Sequence, residues 1–303
     1  MIIFGCGYVG RQLAREATEA GHEVWISSRN AQSLAQVEAV PNERKIIANL
    51  QEESWHGCFT GHWDVVYNLV SSAGGGIDGY RLSYLEGNRS LMKWADQTSV
   101  DRFVYTSATS VYPQVDGQWV DEYSVPDLDQ LSPSGRILRE AELEILAHSA
   151  IPERMILRLA GIYGPGRHLY LDRLRDGANS IPGDGQAWLN LIYLKDIVRA
   201  LLMVGESRLQ FGAEVYNVVD NKPSLKQEIV DWLALQLGMA GIPFDPSQQF
   251  ARTGRRRSGA GLPNRRVSNR RFRERLGWEP EYPDFRAGYT DILRDLQGSA
   301  LLC

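Results

Sequence analysis

The chain opens on the apolar run MIIF, passes through the glycine-spaced FGCGYVG, and continues into RQLAREATEAG, where apolar residues recur at helical spacing until Gly21. Strand, tight turn and helix is the reading. The alternation repeats with a strand at EVWISS, a weaker one at RKIIAN, a strand at DVVYNLVSS, a helix from about Tyr80 to Thr98, and a strand at RFVYTSA. After Tyr112, a polar loop rich in Pro and Asp leads to a helix at GRILREAELEILAHS and a further apolar strand, RMILRLAGIYG. Strands separated by helices predict an α/β fold with a parallel, doubly wound sheet.

Beyond Gly166 the order is less regular. A helix before Gly177, the turn IPGDG, a strand-like WLNLIYL, the helix KDIVRALLMV and the strand EVYNVVD precede the helical stretches SLKQEIVDWLALQLG and NRRFRERLG and a last helix near the C-terminus. The expectation is a main domain over residues 1–165 and a smaller, discontinuous lobe over most of 166–303, with segments such as 214–220 returning to the main sheet.

The 303 residues, 43% of them hydrophobic, suffice for an enzyme-sized core. A net charge of −4 gives no general basic field and speaks against nucleic acid as a partner. Cys6, Cys58 and Cys303 are far apart with no C-x-x-C pair, so neither a disulfide framework nor a zinc site is indicated, and a reducing cytoplasm fits best. No apolar run is long enough to span a bilayer, and the first residues lead directly into a strand with no export signal, so no membrane association is expected. His148 and His168 lack metal-like spacing, and no metal is expected.

Gly5, Gly7 and Gly10 form G-x-G-x-x-G between a strand and a helix, the setting in which backbone N–H groups and the helix dipole meet a dinucleotide pyrophosphate. The turn as a whole, Gly5, Cys6, Gly7, Tyr8, Val9 and Gly10, is the first candidate cofactor segment of a Rossmann-type domain. Where an NAD site usually ends its second strand in an acid that binds the adenosine ribose, this chain has Ser28 and Arg29, whose guanidinium suits a 2′-phosphate. NADP(H) is therefore expected ahead of NAD(H), the alternative being an ordinary exposed arginine. Cys6 is either a small residue filling the turn or a thiol activated by the helix terminus. Val70 and Ser71, with Ser72 and Gly74 to Gly76, follow the fourth strand and are expected near the cofactor or in a plain loop.

FGCGYVG, FVYTSATSVYP, RLAGIYGPGR, LNLIYLKDI and VYNVVD, in that order, resemble the NAD-dependent epimerase/dehydratase family, the extended short-chain dehydrogenases, over nearly the whole length. The nearest likeness is to the atypical branch with a compact FGCGYVG turn and a GR…EAE helix. The resemblance implies cofactor contacts at Asn49, Leu50 and Thr106, with Asn49 where an Asp near the adenine is common; a turn residue is the alternative there. It also implies a relay of Ser or Thr with a Tyr and Lys spaced Y-x-x-x-K, a phenol needing an adjacent ammonium to work near neutral pH. Aligned on GR, this chain has Ser134 and Leu138 in the Tyr and Lys positions, Ala108 in the hydroxyl position, and Tyr84 in place of a helical Asn.

Two readings stay open, and a third, a nucleic-acid binder, is disfavoured by the acidic total. One is an NADP-dependent enzyme acting on a nucleotide-sugar or a similar carbonyl or alcohol, an anionic small molecule, with a displaced relay drawn from Thr106, Ser107, Thr109, Ser110, Tyr112, Tyr84 or Tyr163. The other is a non-catalytic, redox-responsive NADP(H)-binding regulator or scaffold. Ser107, Thr109, Ser110 and Tyr163 are the leading catalytic candidates. Tyr163 and Arg167 are placed as site-lining residues at a strand end, while Arg158 reads as structural and Asp196 as a helix cap. Between Arg252 and Arg275 ten arginines face one acid, Glu274, which suggests a lid over an anionic ligand, a docking patch or a solvated charge run.

Overall fold

A computed structural model describes residues 1–72, 74–248 and 263–300. The first part of the arginine-rich stretch, 252–262 with Arg252, Arg255, Arg256 and Arg257, lies outside the described residues, and so does that part of the lid read from it.

In chain order the first elements are β1 (Ile2–Phe4), α1 (Tyr8–Glu19), β2 (Trp25–Ser28), α2 (Ala31–Ala35), β3 (Lys45–Ile47) and β4 (His62–Asn68). A continuous helical stretch follows, α3 (Gly76–Tyr80), a π-helical turn (Arg81–Glu86) and α4 (Gly87–Ala95). Next come β5 (Ser99–Ala108), β6 (Trp119–Val120), α5 (Pro133–Ala147), β7 (Glu153–Leu159), β8 (Gly161–Tyr163), α6 (Leu171–Arg175), β9 (Ile181–Pro182), β10 (Trp188–Leu189) and β11 (Leu191–Tyr193). The chain closes with α7 (Leu194–Glu206), β12 (Ala213–Val218), β13 (Ser224–Leu225), α8 (Lys226–Gln236), β14 (Phe244–Asp245), β15 (Arg266–Val267), α9 (Arg270–Leu276) and α10 (Phe285–Ala300).

Seven strands form one parallel sheet in the order β12-β7-β5-β4-β1-β2-β3. The order reverses at β1, with β4 on one side and β2 on the other, which opens a crevice at the carboxyl ends of these strands. Below it, Phe4, Trp55, Phe59, Trp94 and Phe103 are buried in one aromatic cluster with edge-to-face rings around Phe4. The indole of Trp94 donates to the Phe59 carbonyl at 2.7 Å, so its polar atom is satisfied inside the core.

The chain divides into two compact units, one built from residues 1–113, 125–159 and 197–217, the other from 114–124, 160–196 and 218–303. The apolar run RMILRLAGIYG, read as one strand, breaks at Ala160: β7 joins the seven-stranded sheet, whereas β8 pairs with β11 in the second unit. The second unit therefore begins six residues before the expected 166 and also takes in 114–124, while 197–217 return to the first. It has its own core, in which Tyr163, Tyr170, Tyr193, Leu233, Phe285 and Tyr289 are buried together. Among the described residues no helix is long and apolar enough to cross a membrane.

Candidate functional site

The cleft at the carboxyl ends of β1 to β4 is lined by four consecutive strand ends: Gly5, Cys6 and Gly7 after β1, Ser27 to Asn30 after β2, Ala48 to Gln51 after β3, and Leu69 to Ser71 after β4. Its volume is about 260 Å³, and Leu82 and Ser83 of the π-helical turn close one wall. Each glycine of the turn has a separate reason to lack a side chain. A Cβ on Gly10 would lie 1.9 Å from the Gly5 carbonyl oxygen, and one on Gly5, whose φ is +100°, 2.7 Å from the Val70 nitrogen. A Cβ on Gly7 would meet nothing within 4 Å, so there the turn faces open space. Gly7 begins α1 with no side-chain cap, which leaves the amides of Tyr8, Val9 and Gly10 directed out of the helix terminus. A helix N-terminus without a side-chain cap, beside open space at Gly7, fits a pyrophosphate.

The other strand ends divide. Arg29 is exposed on the cleft rim, and among the described residues no hydrogen bond or ion pair engages its guanidinium. The Ser28 hydroxyl oxygen accepts from the Asn30 amide at 3.1 Å, and Asn30 caps α2 through its side-chain oxygen, so both shape the turn that presents Arg29. The Asn49 amide donates to Glu52 at 2.9 Å and accepts from the Gln51 amide, the behaviour of a turn residue, although it lines the cleft together with buried Leu50. Burial pushes the Cys6 thiol up to about 12, so the activated-thiol alternative fails and Cys6 is a packing residue of the turn. Val70 and Ser71 line the cleft, and Thr106 donates to the Asn68 carbonyl at 3.3 Å. An interaction the sequence reading missed steadies this wall: the Asn68 amide donates to buried Asn88 at 2.7 Å, while its oxygen receives the Val70 amide.

Residues 1–218 match the profile of the NAD dependent epimerase/dehydratase family. The chain belongs to that family. Among curated relatives it is 26% identical to protein YeeZ of Escherichia coli K12 over 291 residues, covering 93% of this chain and 96% of the relative. It is also 26% identical to the 2-alkyl-3-oxoalkanoate reductase of Stenotrophomonas maltophilia over 252 residues, 78% of this chain and 75% of the relative. Among solved structures, the UDP-glucuronic acid 4-epimerase of Bacillus cereus in complex with UDP-glucuronic acid and NAD superposes with a TM-score of 0.76. That likeness, at 21% identity over 98% of this chain and 100% of the other, establishes the fold.

Within the family fold, the relay positions lie on the first turns of α5. Ser134 is half-buried with its hydroxyl 3.4 Å from that of Ser132, and Leu138 is buried in the core. Neither supplies a phenol or an ammonium. Of the hydroxyls at the end of β5, Ser107 is spent: it donates to the Glu142 carboxylate at 2.6 Å. Glu142, fully buried, also takes both the Nε (3.0 Å) and Nη2 (2.7 Å) of Arg158, whose Nη1 donates to the Tyr112 hydroxyl at 2.9 Å; that hydroxyl in turn donates to Asn217 at 2.7 Å. Ser107 and Tyr112 are thus held in a closed polar network joining α5 to β5, β7 and β12, and the relay roles read for them are withdrawn. Arg158 is structural, as its place on β7 suggests. Thr109 is buried, and Ser110 is exposed with its carbonyl next to the first turn of α5 at Gly135. Tyr84 is half-buried with its ring edge-on to Tyr80.

Tyr163 belongs to the second unit, where it packs against Tyr193 and Tyr289 and its hydroxyl donates to the Asp284 carbonyl at 3.4 Å. Burial raises its phenol far above the ordinary range, with Asp220 adding to the effect, and the side chain is part of the second unit's core. Arg167 closes a tight turn with Gly164 in the same unit. Asp196, the acidic residue in the first turn of α7, receives the Glu281 and Tyr282 amides at 2.7 and 3.0 Å.

Proposed function

We propose that this chain is an NADP(H)-dependent oxidoreductase of the epimerase/dehydratase kind, acting on a carbonyl or alcohol of a nucleotide-sugar or similar anionic small molecule in a reducing cytoplasm. The observation that carries it is the pairing of a glycine cradle facing open space with an unengaged Arg29 twenty-two residues after Gly7, where NAD sites place an acid. The Bacillus cereus neighbour holds NAD, and the NADP reading here rests on Arg29 alone. A nicotinamide dinucleotide bound there supplies or accepts hydride. The chain's own part is to hold the pyrophosphate at the amides of Tyr8 to Gly10 and the 2′-phosphate at Arg29, with Ser28, Asn49, Leu50, Val70, Ser71 and Thr106 lining the path.

For proton transfer, the hydroxyl left at the family's hydroxyl-bearing strand end is Ser110, with buried Thr109 next to it. Without a Tyr–Lys pair its pKa stays far from neutrality, so a reaction demanding a strong acid or base is not expected to be fast. The names of two relatives support a carbonyl or nucleotide-sugar substrate, an oxoalkanoate reductase and a UDP-sugar epimerase. Leu138 in the core at the lysine position favours a second reading, a non-catalytic NADP(H)-responsive regulator or scaffold.

A panel of UDP-sugars and 3-oxoalkanoates, followed by the absorbance of reduced nicotinamide and by proton NMR for epimerised products, separates the two. The enzyme reading expects turnover that falls about a hundredfold in Ser110→Ala, the scale of a positioned proton donor, and that Ser134→Ala leaves within a few-fold. No turnover across the panel in a protein that binds NADP(H) supports the regulator instead.

A further inference from the structure

At the amino ends of β4 and β5, the opposite end of the sheet from the glycine-turn cleft, the first unit gathers one imidazole and two carboxylates. His62 and Asp64 stand two residues apart on β4, so their side chains share one side of the strand. Parallel pairing sets His62 beside Ser99 and, with Trp63 beside Val100 and Val65 beside Arg102, brings Asp64 level with Asp101 of β5. One ligand atom from each of His62, Asp64 and Asp101 then lies within 4.8 Å of the other two. No spacing in the sequence shows this cluster, because Asp101 joins it only through the strand pairing.

Asp64 and Asp101 are like charges in cross-strand positions, an arrangement that costs free energy unless something positive lies between them. Arg102, the basic residue next in the chain, is spent elsewhere, on Glu153 and on carbonyls at the end of α7. Among the described residues the ion-pair partner of both carboxylates is His62, whose Nε2 is 3.2 Å from Asp101 Oδ2 and 3.8 Å from Asp64 Oδ1. The other ring nitrogen, Nδ1, is hydrogen-bonded to the Ser99 hydroxyl at 3.1 Å. With Nδ1 donating that bond, Nε2 turns to two anionic oxygens, and a cation must resolve the contact: a proton on Nε2, or a metal ion among all three groups. The spacing suits the metal. An ion bonded at about 2.0–2.2 Å to nitrogen and oxygen ligands in a tetrahedron holds them about 3.4 Å apart, which the two distances bracket. Ser99 and Asp101, with Asp96 and Thr98, also line an open cavity of about 580 Å³, an entry path with room for water at a coordination position the protein leaves open.

We propose that His62, Asp64 and Asp101 form a binding site for a divalent transition-metal ion of the zinc type, with Ser99 orienting the imidazole. One nitrogen and two oxygen donors favour Zn²⁺ over Mg²⁺, which takes oxygen ligands and keeps its water. All three side chains are exposed, so the site is reached without opening the fold.

Calorimetric titration of the full, untagged chain with ZnCl₂ and MgCl₂ near neutral pH, after EDTA treatment and its removal, tests the assignment. Wild type is expected to take up one Zn²⁺ and to bind Mg²⁺ far more weakly. His62→Ala and Asp101→Asn should each lose Zn²⁺ affinity by about tenfold or more, and Ser99→Ala by about tenfold, the scale of a group that orients a ligand. Metal-free melting of each variant, expected to match wild type at these exposed positions, reports that it is folded. If wild type takes up no Zn²⁺, the contact is a protonated His62 between two carboxylates and the proposal is overturned. It is equally overturned if His62→Ala binds Zn²⁺ as wild type does, which places the ion on another donor such as the exposed Cys58 thiol, or if Mg²⁺ binds as tightly as Zn²⁺, which reduces the site to a carboxylate pair.

Discussion

Gly7 and Gly10 occupy the same turn yet make opposite demands. Gly10 has no room for a methyl group, since the Gly5 carbonyl stands 1.9 Å from where it would be, so Gly10→Ala must displace the turn itself. Gly7 has open space, so Gly7→Ala is compatible with the fold and intrudes only where a ligand would lie. Thermal melts with and without NADP⁺ should therefore separate them. Gly10→Ala is expected to lower the midpoint of the free protein by several degrees, the effect of about 1–3 kcal/mol of overpacking strain. Gly7→Ala should melt with wild type when free and lose most of the shift that NADP⁺ gives. A free-protein midpoint equally depressed in both would mean that Gly7 is also packed. Arg29, by contrast, is read from what it lacks: among the described residues no acid lines the cleft beside it, and the Ser28–Asn30 turn holds its backbone without using its side chain.

At the scale of elements, α5 is tied to the sheet by charge as well as by apolar packing. The Glu142–Arg158 pair is fully buried and bidentate, with Ser107 and Arg139 supplying further donors to the carboxylate. Removing one partner leaves a buried unpaired charge, so Glu142→Ala should cost about 3–5 kcal/mol in urea unfolding, while Glu142→Leu combined with Arg158→Met should recover most of that loss. A single substitution costing under about 1 kcal/mol would show the network to be dispensable. None of this could be read from the helix pattern. GRILREAELEILA has ordinary amphipathic spacing, and Glu142 meets Arg158 only because β7 passes beneath that face, sixteen residues on. Asn68 and Asn88 escaped notice for the same reason, since polar residues that face inward are indistinguishable by periodicity from those that face water. The elements themselves were legible because β1, α1, β5, α5 and α7 each carry a sustained period of one kind. The break at Ala160 was not, because the residues on both sides of it, Leu159 and Ile162, are apolar and only the pairing partner changes, from β5 for β7 to β11 for β8.

Across the whole molecule the sheet order brings the groups that line the cleft together at the carboxyl ends of four strands of the first unit. β1, at the reversal of the strand order, contributes the glycine turn; β2 contributes Ser28 and Arg29; β3 and β4 contribute Asn49 and Val70. These positions were legible because a strand, a G-x-G-x-x-G turn and a helix are local in sequence. The catalytic assignments depended on which hydroxyls face inward, and there the fold consumed Ser107, Tyr112 and Tyr163 in packing and left Ser110 exposed. The second unit, assembled from three separate stretches, sets Arg266 between the rings of Trp119 and Trp188, where composition alone presented a run of charge. The central claim, that the first unit recognises NADP(H) through Arg29, is tested most directly by titrating NADP⁺ and NAD⁺ calorimetrically against wild type and Arg29→Asp. Wild type is expected to bind NADP⁺ about tenfold or more tightly than NAD⁺, and Arg29→Asp to reverse that order, because a carboxylate repels the 2′-phosphate and accepts from a bare ribose. Preference for NAD⁺ in wild type, or an unchanged ratio in the variant, would contradict it.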